Sequence, residues 1–274
     1  VETEPTKEIP VAVQYHLQID SGDVAPYVLL PGDPGRVETI ASFWDEARHV
    51  ATNREYVTYT GSYKGAPISC VSTGIGAPST SIAMEELARC GATTFFRVGT
   101  CGTFLDTVAN GDMAIFDSAV RLDGASHGYA PPEFPAVASY DVVAAAADAA
   151  EALGLTYHIG TTRSADTFYA RHPRPGSSFN SFWQGWWRDH FEDLKRLNVV
   201  AAEMEASLIF VLARVWGLRS GGAAVVLDNV LRVSGDEGAF DPEDQLEHGA
   251  DHIDRLARLG CETVLRLWWA DTDV

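Results

Sequence analysis

Three loops pairing glycine with arginine fall within the first hundred or so residues: Gly32-Asp33-Pro34-Gly35-Arg36, Asn53-Arg54-Glu55 and Arg97-Val98-Gly99-Thr100-Cys101-Gly102. Glycine leaves backbone N–H groups uncovered, a helix start adds its positive end, and a guanidinium offers a forked donor. All three suit an oxyanion. The chain has 38 acidic residues against 20 basic ones, so fixed cations beside bare amides suggest a phosphate site. Taken singly the signals are weak, because Gly-Asp-Pro-Gly is commonly an ordinary turn. Arg97, at the end of the apolar Phe95-Phe96 run, taken alone reads better as half of a structural ion pair, since a buried guanidinium needs an anionic partner. Arg36, Arg54, Arg97 and the Thr100 hydroxyl together favour the oxyanion.

The elements that must position these loops follow from apolar spacing. Tyr27 to Leu30 reads as a strand, followed by the Pro31-Gly32-Asp33 turn and a helix from Val37. Val57 to Tyr63 alternates and turns at Lys64-Gly65 into Ile68 to Ser72, a hairpin. Ser79 to Cys90 predicts a serine-capped amphipathic helix, and Thr93 to Val98 a buried strand ending at Gly99. Farther on come a strand at Asp112 to Ser118, a helix at Tyr140 to Leu153, a strand near His158 to Thr162, a helix from Glu205 to Trp216, a strand at Gly222 to Leu227 and a helix from His248 to Trp269. Phe182-Trp183-Gln184-Gly185-Trp186-Trp187 predicts an amphipathic helix at a core or subunit contact. Strands alternating with helices imply an α/β protein with a largely parallel, mixed sheet, and ligands belong at the carboxyl ends of its strands.

At 274 residues and 46% hydrophobic, the chain suits one generous domain. Val1 to Pro10 is charged and lacks an apolar core segment, so a cytoplasmic location is expected, without membrane insertion. Cys70, Cys90, Cys101 and Cys261 have no paired spacing, which argues against zinc and disulfides. A net charge of −18 argues against binding nucleic acid through its phosphates and suits a hydrated surface in concentrated salt. An acidic enzyme of ordinary salinity is the plainer alternative.

Several ordered segments resemble the signatures of uridine phosphorylases, within the wider hexameric nucleoside phosphorylase family. They are Ser72 to Ser81 (STGIGAPSTS), Arg97 to Thr100 (RVGT), Val120 to Ser126 (VRLDGAS), Ala165 to Tyr169 (ADTFY) and Glu203-Met204-Glu205. The likeness runs from about His16 to the C-terminal helix. It implies a nucleoside phosphorylase domain over residues 16–274 after an extension at 1–15, with a mixed, partly barrel-like sheet surrounded by helices. It also implies a ring-shaped trimer of homodimers, and cleavage of a nucleoside by inorganic phosphate to free base and ribose 1-phosphate, with no cofactor required. Matched motif by motif, Gly32, Arg36, Arg97 and Thr100 hold phosphate, with Arg54 reaching in from a neighbouring subunit. Met204 and Glu205 hold the ribose, and the neighbour's His16 closes over it. Glu55, Ile75 and Ser79 match a site for a monovalent cation, making potassium a candidate structural ion. Without the resemblance, His16 is a solvated histidine, Met204 core filler and Glu205 the acidic start of a helix.

The base pocket departs from the uridine pattern. Where that pattern has a glutamine and an arginine reading the uracil amide edge, this chain has His172 and Arg174, and an imidazole lacks an amide's donor-acceptor pair. Leu227-Asp228-Asn229-Val230 also lacks the uridine enzymes' arginine. Asp228 falls near the aspartate with which purine-cleaving relatives protonate N7, a general acid's task; its plainer reading is a turn cap after the strand. Guanosine or inosine is therefore the rival substrate, and Phe168 stacks on either base. A hydrolytic nucleosidase would not need the three arginines. A non-catalytic nucleoside-binding protein would explain the charge but not their company with Glu205 and His16.

Overall fold

The computed structural model describes residues 13–171, 178–232 and 242–272. The apolar run after Pro26 forms β1 (Tyr27–Leu30), buried throughout. It lies parallel to β4 (Ala66–Val71) on one side and to β5 (Thr94–Thr103) on the other. A strand covered on both faces needs no polar alternation, hence Tyr-Val-Leu-Leu. The hairpin is β3 (Tyr56–Tyr63) turning into β4. Its two turn residues, Lys64 and Gly65, both take positive φ, 49° and 84°, the twist that a two-residue hairpin favours. Beyond β3 lies an edge strand the sequence did not announce, β2 (Glu46–Asn53), whose first four residues are exposed.

The other side of β5 closes on itself. β5 pairs in parallel with β10 (Arg219–Asn229), which pairs antiparallel with β6 (Met113–Leu122). β6 pairs with β8 (Tyr157–Ala165), β8 with the short β9 (Ala201–Glu203), and β9 returns to β5. The result is a five-stranded barrel-like circuit from which β1, β4, β3 and β2 extend as an open sheet; β7 (Ala136–Val137) adds to β6. This is the mixed, partly barrel-like sheet that the resemblance implied.

Helices cover the sheet. α5 (Ala206–Trp216) is buried at every position from Ala206 to Ala213, so it is apolar all round rather than amphipathic. It packs with α2 (Ala77–Arg89), joining Met84 and Leu87 to Val28, Phe95 and Ile209 in one core. On the opposite side, α3 (Tyr140–Ala152) and α6 (Pro242–Thr272) place Val142, Ala146, Leu256 and Leu259 against Phe96, Ile115 and Val225. Gly221 makes this approach feasible, because a Cβ there would sit 2.4 Å from Val142 Cγ1. α1 (Gly35–Ala41) follows the first glycine loop. α4 (Gly185–Arg196) is anchored by Trp187, Phe191 and Leu194 against Phe104, whose ring stacks on Phe191 at 5.7 Å, worth about 1 kcal/mol.

Some boundaries differ from expectation. The aromatic helix starts at Gly185, so Phe182, Trp183 and Gln184 precede it, and Trp186 and Phe182 are exposed while Trp187 is buried. α2 begins at Ala77 behind Gly76, with Pro78 in its first turn. Ser79 is therefore no cap; its hydroxyl donates back to the Ile75 and Gly76 carbonyls at 3.3 and 3.2 Å. β5 runs on past Gly99 to Thr103, β10 begins at Arg219, and α6 is longer than its apolar pattern. All four cysteines are free and buried. Among the described residues no helix is long and apolar enough to cross a membrane.

Candidate active site

The register of the sheet fixes the site. Arg97 stands opposite Leu30, the last residue of β1, on one side and Gly222 of β10 on the other. The loops after β1, β4 and β8, the middle of β5, the β9–α5 junction and the end of β10 enclose a cavity of about 820 Å³. It lies at the strands' carboxyl ends.

One end of the cavity is cationic. Gly32, Arg36, Arg97 and Thr100 all line it. Gly32 lets two loops meet, since a Cβ there would lie 3.2 Å from the Gly74 carbonyl oxygen. Asp33 accepts the Gly35 N–H at 2.8 Å and so shapes the entry into α1. Its carboxylate reaches Arg36 only loosely, 3.9 Å from Nε. Burial pulls the Arg36 guanidinium below its usual value, Asp33 resists, and the charge of Arg97 adds repulsion. An anion between the two cations would relieve both costs.

Arg97 is 4% exposed and folds back over its own strand. A Cβ on Gly99 would sit 2.8 Å from its Cζ and Nη2, so only glycine leaves this path open. Its Nε lies 2.7 Å from Glu203 Oε2 and its Nη2 2.5 Å from Glu205 Oε2, yet among the described residues neither Nε nor buried Nη1 has a well-directed hydrogen-bond acceptor. Burial alone would weaken the cation; the carboxylates of Glu205 and Glu203 outweigh it and raise the Arg97 pKa. The ion pairs of Arg97 do not take it out of the cavity wall.

Glu205 forms the next part of the wall, beside Met204. Its Oε1 accepts the Gly76 N–H at 2.6 Å. Burial lifts its carboxyl above the usual glutamate value, Arg97 opposes the shift, and the like charge of Glu203 adds to it. Although Glu205 stands at the N-cap position of α5, its side chain caps nothing. Glu203 does that work, accepting the Glu205 and Ala206 N–H groups at 2.8 and 2.9 Å. The Glu205 carboxylate is thus spared from capping and lines the cavity, held by Gly76 and Arg97.

Residues 26–266 match the family model described as the Phosphorylase superfamily. The chain belongs to that superfamily. It is 51% identical over 217 residues to the uridine phosphorylase of Thermococcus kodakarensis, covering 79% of this chain and 78% of that one. The uridine phosphorylase of Escherichia coli is 40% identical over 221 residues, 78% of this chain and 85% of its own. The guanosine phosphorylase of Halorubrum lacusprofundi is 38% identical over 258 residues, 94% of this chain and all of its own.

Within this superfamily member, most of the residues singled out from sequence meet at the cavity. Phe168 borders it, half-exposed. Asp228 is 4% exposed and lines the far side. It is not a cap after the strand but part of β10, at a bulge that shifts the register against β5 between Val226 and Asp228. The cap is Asn229, whose Oδ1 accepts the Leu231 N–H at 3.0 Å. Glu55, Ile75 and Ser79 lie along the same cavity, and the Ser79 hydroxyl is 3.3 Å from the Ile75 carbonyl oxygen. Such hard oxygens fit a monovalent cation.

Two expected residues do not line this chain's cavity. Arg54 is exposed on the turn between β2 and β3, with φ at 55°. His16 is no solvated arm residue: its Nδ1 lies 2.7 Å from Glu86, which also accepts the Leu17 N–H at 2.8 Å, and Asn53 donates to its carbonyl at 2.7 Å. His172 and Arg174 lie outside the described residues. Sequence reasoning gave Glu203 no role. An acid just before an apolar run looks like a helix start, and its second task, holding Arg97, is a contact across strands.

Proposed function

We propose that this chain cleaves a nucleoside with inorganic phosphate, releasing the free base and ribose 1-phosphate, in the manner of a uridine phosphorylase. The observation that supports this most is one cavity in which Arg36, Arg97 and Thr100 adjoin Glu205 and Met204. A purely hydrolytic site has no use for two guanidinium groups converging beside a sugar-binding carboxylate.

Breaking the glycosidic C–N bond builds positive charge at C1′ and negative charge on the base, and the site can stabilise both. Phosphate held by Arg36, Arg97 Nη1 and Thr100 presents an oxygen to C1′, and the P–O–C bond forms as the C–N pair departs with the base. No covalent enzyme intermediate and no cofactor is needed. Glu205 accepts the ribose hydroxyl hydrogens, Met204 covers the sugar, and Phe168 stacks on the base.

A guanosine or inosine substrate is the second reading. Asp228, buried in the cavity wall, is placed to give a proton to a leaving purine, and the guanosine phosphorylase relative aligns over more of this chain than the uridine phosphorylases do. In either reading we infer a trimer of dimers in which Arg54 and His16, both outside their own cavity, serve a neighbour's. Glu55, Ile75 and Ser79 then supply part of a potassium shell completed across that interface. The setting is the cytoplasm, in nucleoside salvage, and the net charge of −18 suits it to high salt. Chromatography of products from uridine, thymidine, inosine, guanosine and adenosine, with phosphate at low and high potassium chloride, tests the base preference; hydrolysis of all five without phosphate would refute the proposal.

A further inference from the structure

We propose that Glu203, which is almost fully buried although it reaches the cavity wall, is a positioning residue for the phosphate-binding arginine, acting on phosphate through Arg97. The inference rests on the phosphorolytic reading above and deepens it.

Glu203 is 1% exposed, and its carboxylate is gripped from every side. Oε2 accepts the Glu205 and Ala206 N–H groups at 2.8 and 2.9 Å and stands 2.7 Å from Arg97 Nε. Oε1 accepts the Ser164 hydroxyl, whose oxygen in turn accepts the Ser207 N–H at 2.9 Å. Ser207 donates its own hydroxyl to the buried Asp123, which also takes the Ser126 N–H at 2.6 Å. The carboxylate is therefore held in one orientation, and it stands 2.7 Å from one edge of the buried Arg97 guanidinium. Nε stands in ionic contact with Glu203 at 2.7 Å without a well-directed hydrogen bond, and Nη2 pairs with Glu205; among the described residues Nη1 has neither a carboxylate nor a hydrogen-bond partner, on a side chain that lines the cavity. Without Glu203, Glu205 would be the sole carboxylate on Arg97, and a two-pronged pairing with it would draw Nη1 or Nε away from phosphate.

Glutamine at 203 can keep an oxygen toward Arg97 and the two backbone N–H groups while turning its amide toward Ser164; alanine keeps nothing. Steady-state kinetics with inorganic phosphate and the preferred nucleoside should show for Glu203→Ala a phosphate KM raised about ten-fold or more, clearly exceeding the rise in nucleoside KM that loss of its cap on Glu205 and Ala206 brings. Glu203→Gln should restore the phosphate KM to within about three-fold. Ser164→Ala, which removes one grip on Glu203 and the acceptor of the Ser207 N–H but leaves the Glu203 cap on Glu205 and Ala206, should move phosphate KM by about three-fold and more than nucleoside KM, and decides the matter if Glu203→Ala does not fold. The proposal is overturned if Glu203→Ala or Ser164→Ala leaves phosphate KM unchanged, or if phosphate and nucleoside KM rise together as a disturbed α5 would make them. A parent enzyme that turns over equally without phosphate would instead refute phosphorolysis itself.

Discussion

Replacing Glu205 by glutamine separates a sugar-binding carboxylate from a merely structural one, because the two roles predict opposite balances of activity and stability. The side chain keeps its shape, and an amide oxygen can still accept the Gly76 N–H now 2.6 Å from Oε1. What disappears is the charge 2.5 Å from Arg97 Nη2. In the parent, two buried carboxylates share one guanidinium, leaving an excess negative charge; in the variant, Glu203 and Arg97 form a neutral pair. Stability at about pH 8 should therefore stay within about 1 kcal/mol of the parent or exceed it. The pH dependence has a definite sign. The Glu205 pKa is raised in the folded protein, so the folded state holds its proton more tightly. The group's contribution is fully present below the ordinary glutamate pKa and is lost as pH rises through the raised one. Glutamine cannot titrate, so the variant's stability relative to the parent should rise from acid to alkaline pH. Activity should move the other way. A hydrogen bond to a charged acceptor contributes about 1.5–3 kcal/mol, or roughly ten- to hundred-fold, and two ribose hydroxyls on one carboxylate place the fall in kcat/KM near the upper figure. Denaturant melts across pH, with initial rates at varied nucleoside, measure both. A stability loss above about 3 kcal/mol with activity retained would make Glu205 a structural ion-pair member and refute the ribose assignment.

Arg36→Ala should raise phosphate KM by about ten-fold or more and leave the melting midpoint nearly unchanged, since only the loose Asp33 contact at 3.9 Å is lost; unchanged phosphate saturation curves would remove Arg36 from the site. Gly99→Ala should push Arg97 off its path, because the new Cβ would lie 2.8 Å from Cζ, costing about 1–3 kcal/mol of stability and about ten-fold in kcat/KM; full activity would show that Arg97 need not lie there. Asp228→Asn should depress inosine or guanosine cleavage by about a hundred-fold and uridine cleavage far less, and equal losses on both substrates would exclude proton donation by Asp228.

What could be read from the chain alone follows from where each signal is local. The loop after β1, the hairpin at Lys64-Gly65 and the apolar α5 announce themselves because a few adjacent residues settle their conformation. β2 escaped notice because Glu46 to Asn53 is an exposed, polar edge with no apolar alternation, and β9 because three residues carry no period. The start of α2 was misplaced at Ser79 although Pro78, favoured in a first helical turn, marked the true one. At the site, arginine and glycine point to the cationic end of the cavity through chemistry each carries by itself. Glu203 and the grip of Glu86 on His16 depend on partners 106 and 70 residues away and become visible only when the strands are paired.

The most direct measurement is nucleoside turnover by the purified protein with inorganic phosphate and after its rigorous removal, with the sugar product identified. Turnover that requires phosphate and yields ribose 1-phosphate is the predicted result. Equal turnover in its absence, yielding free ribose, would contradict the account.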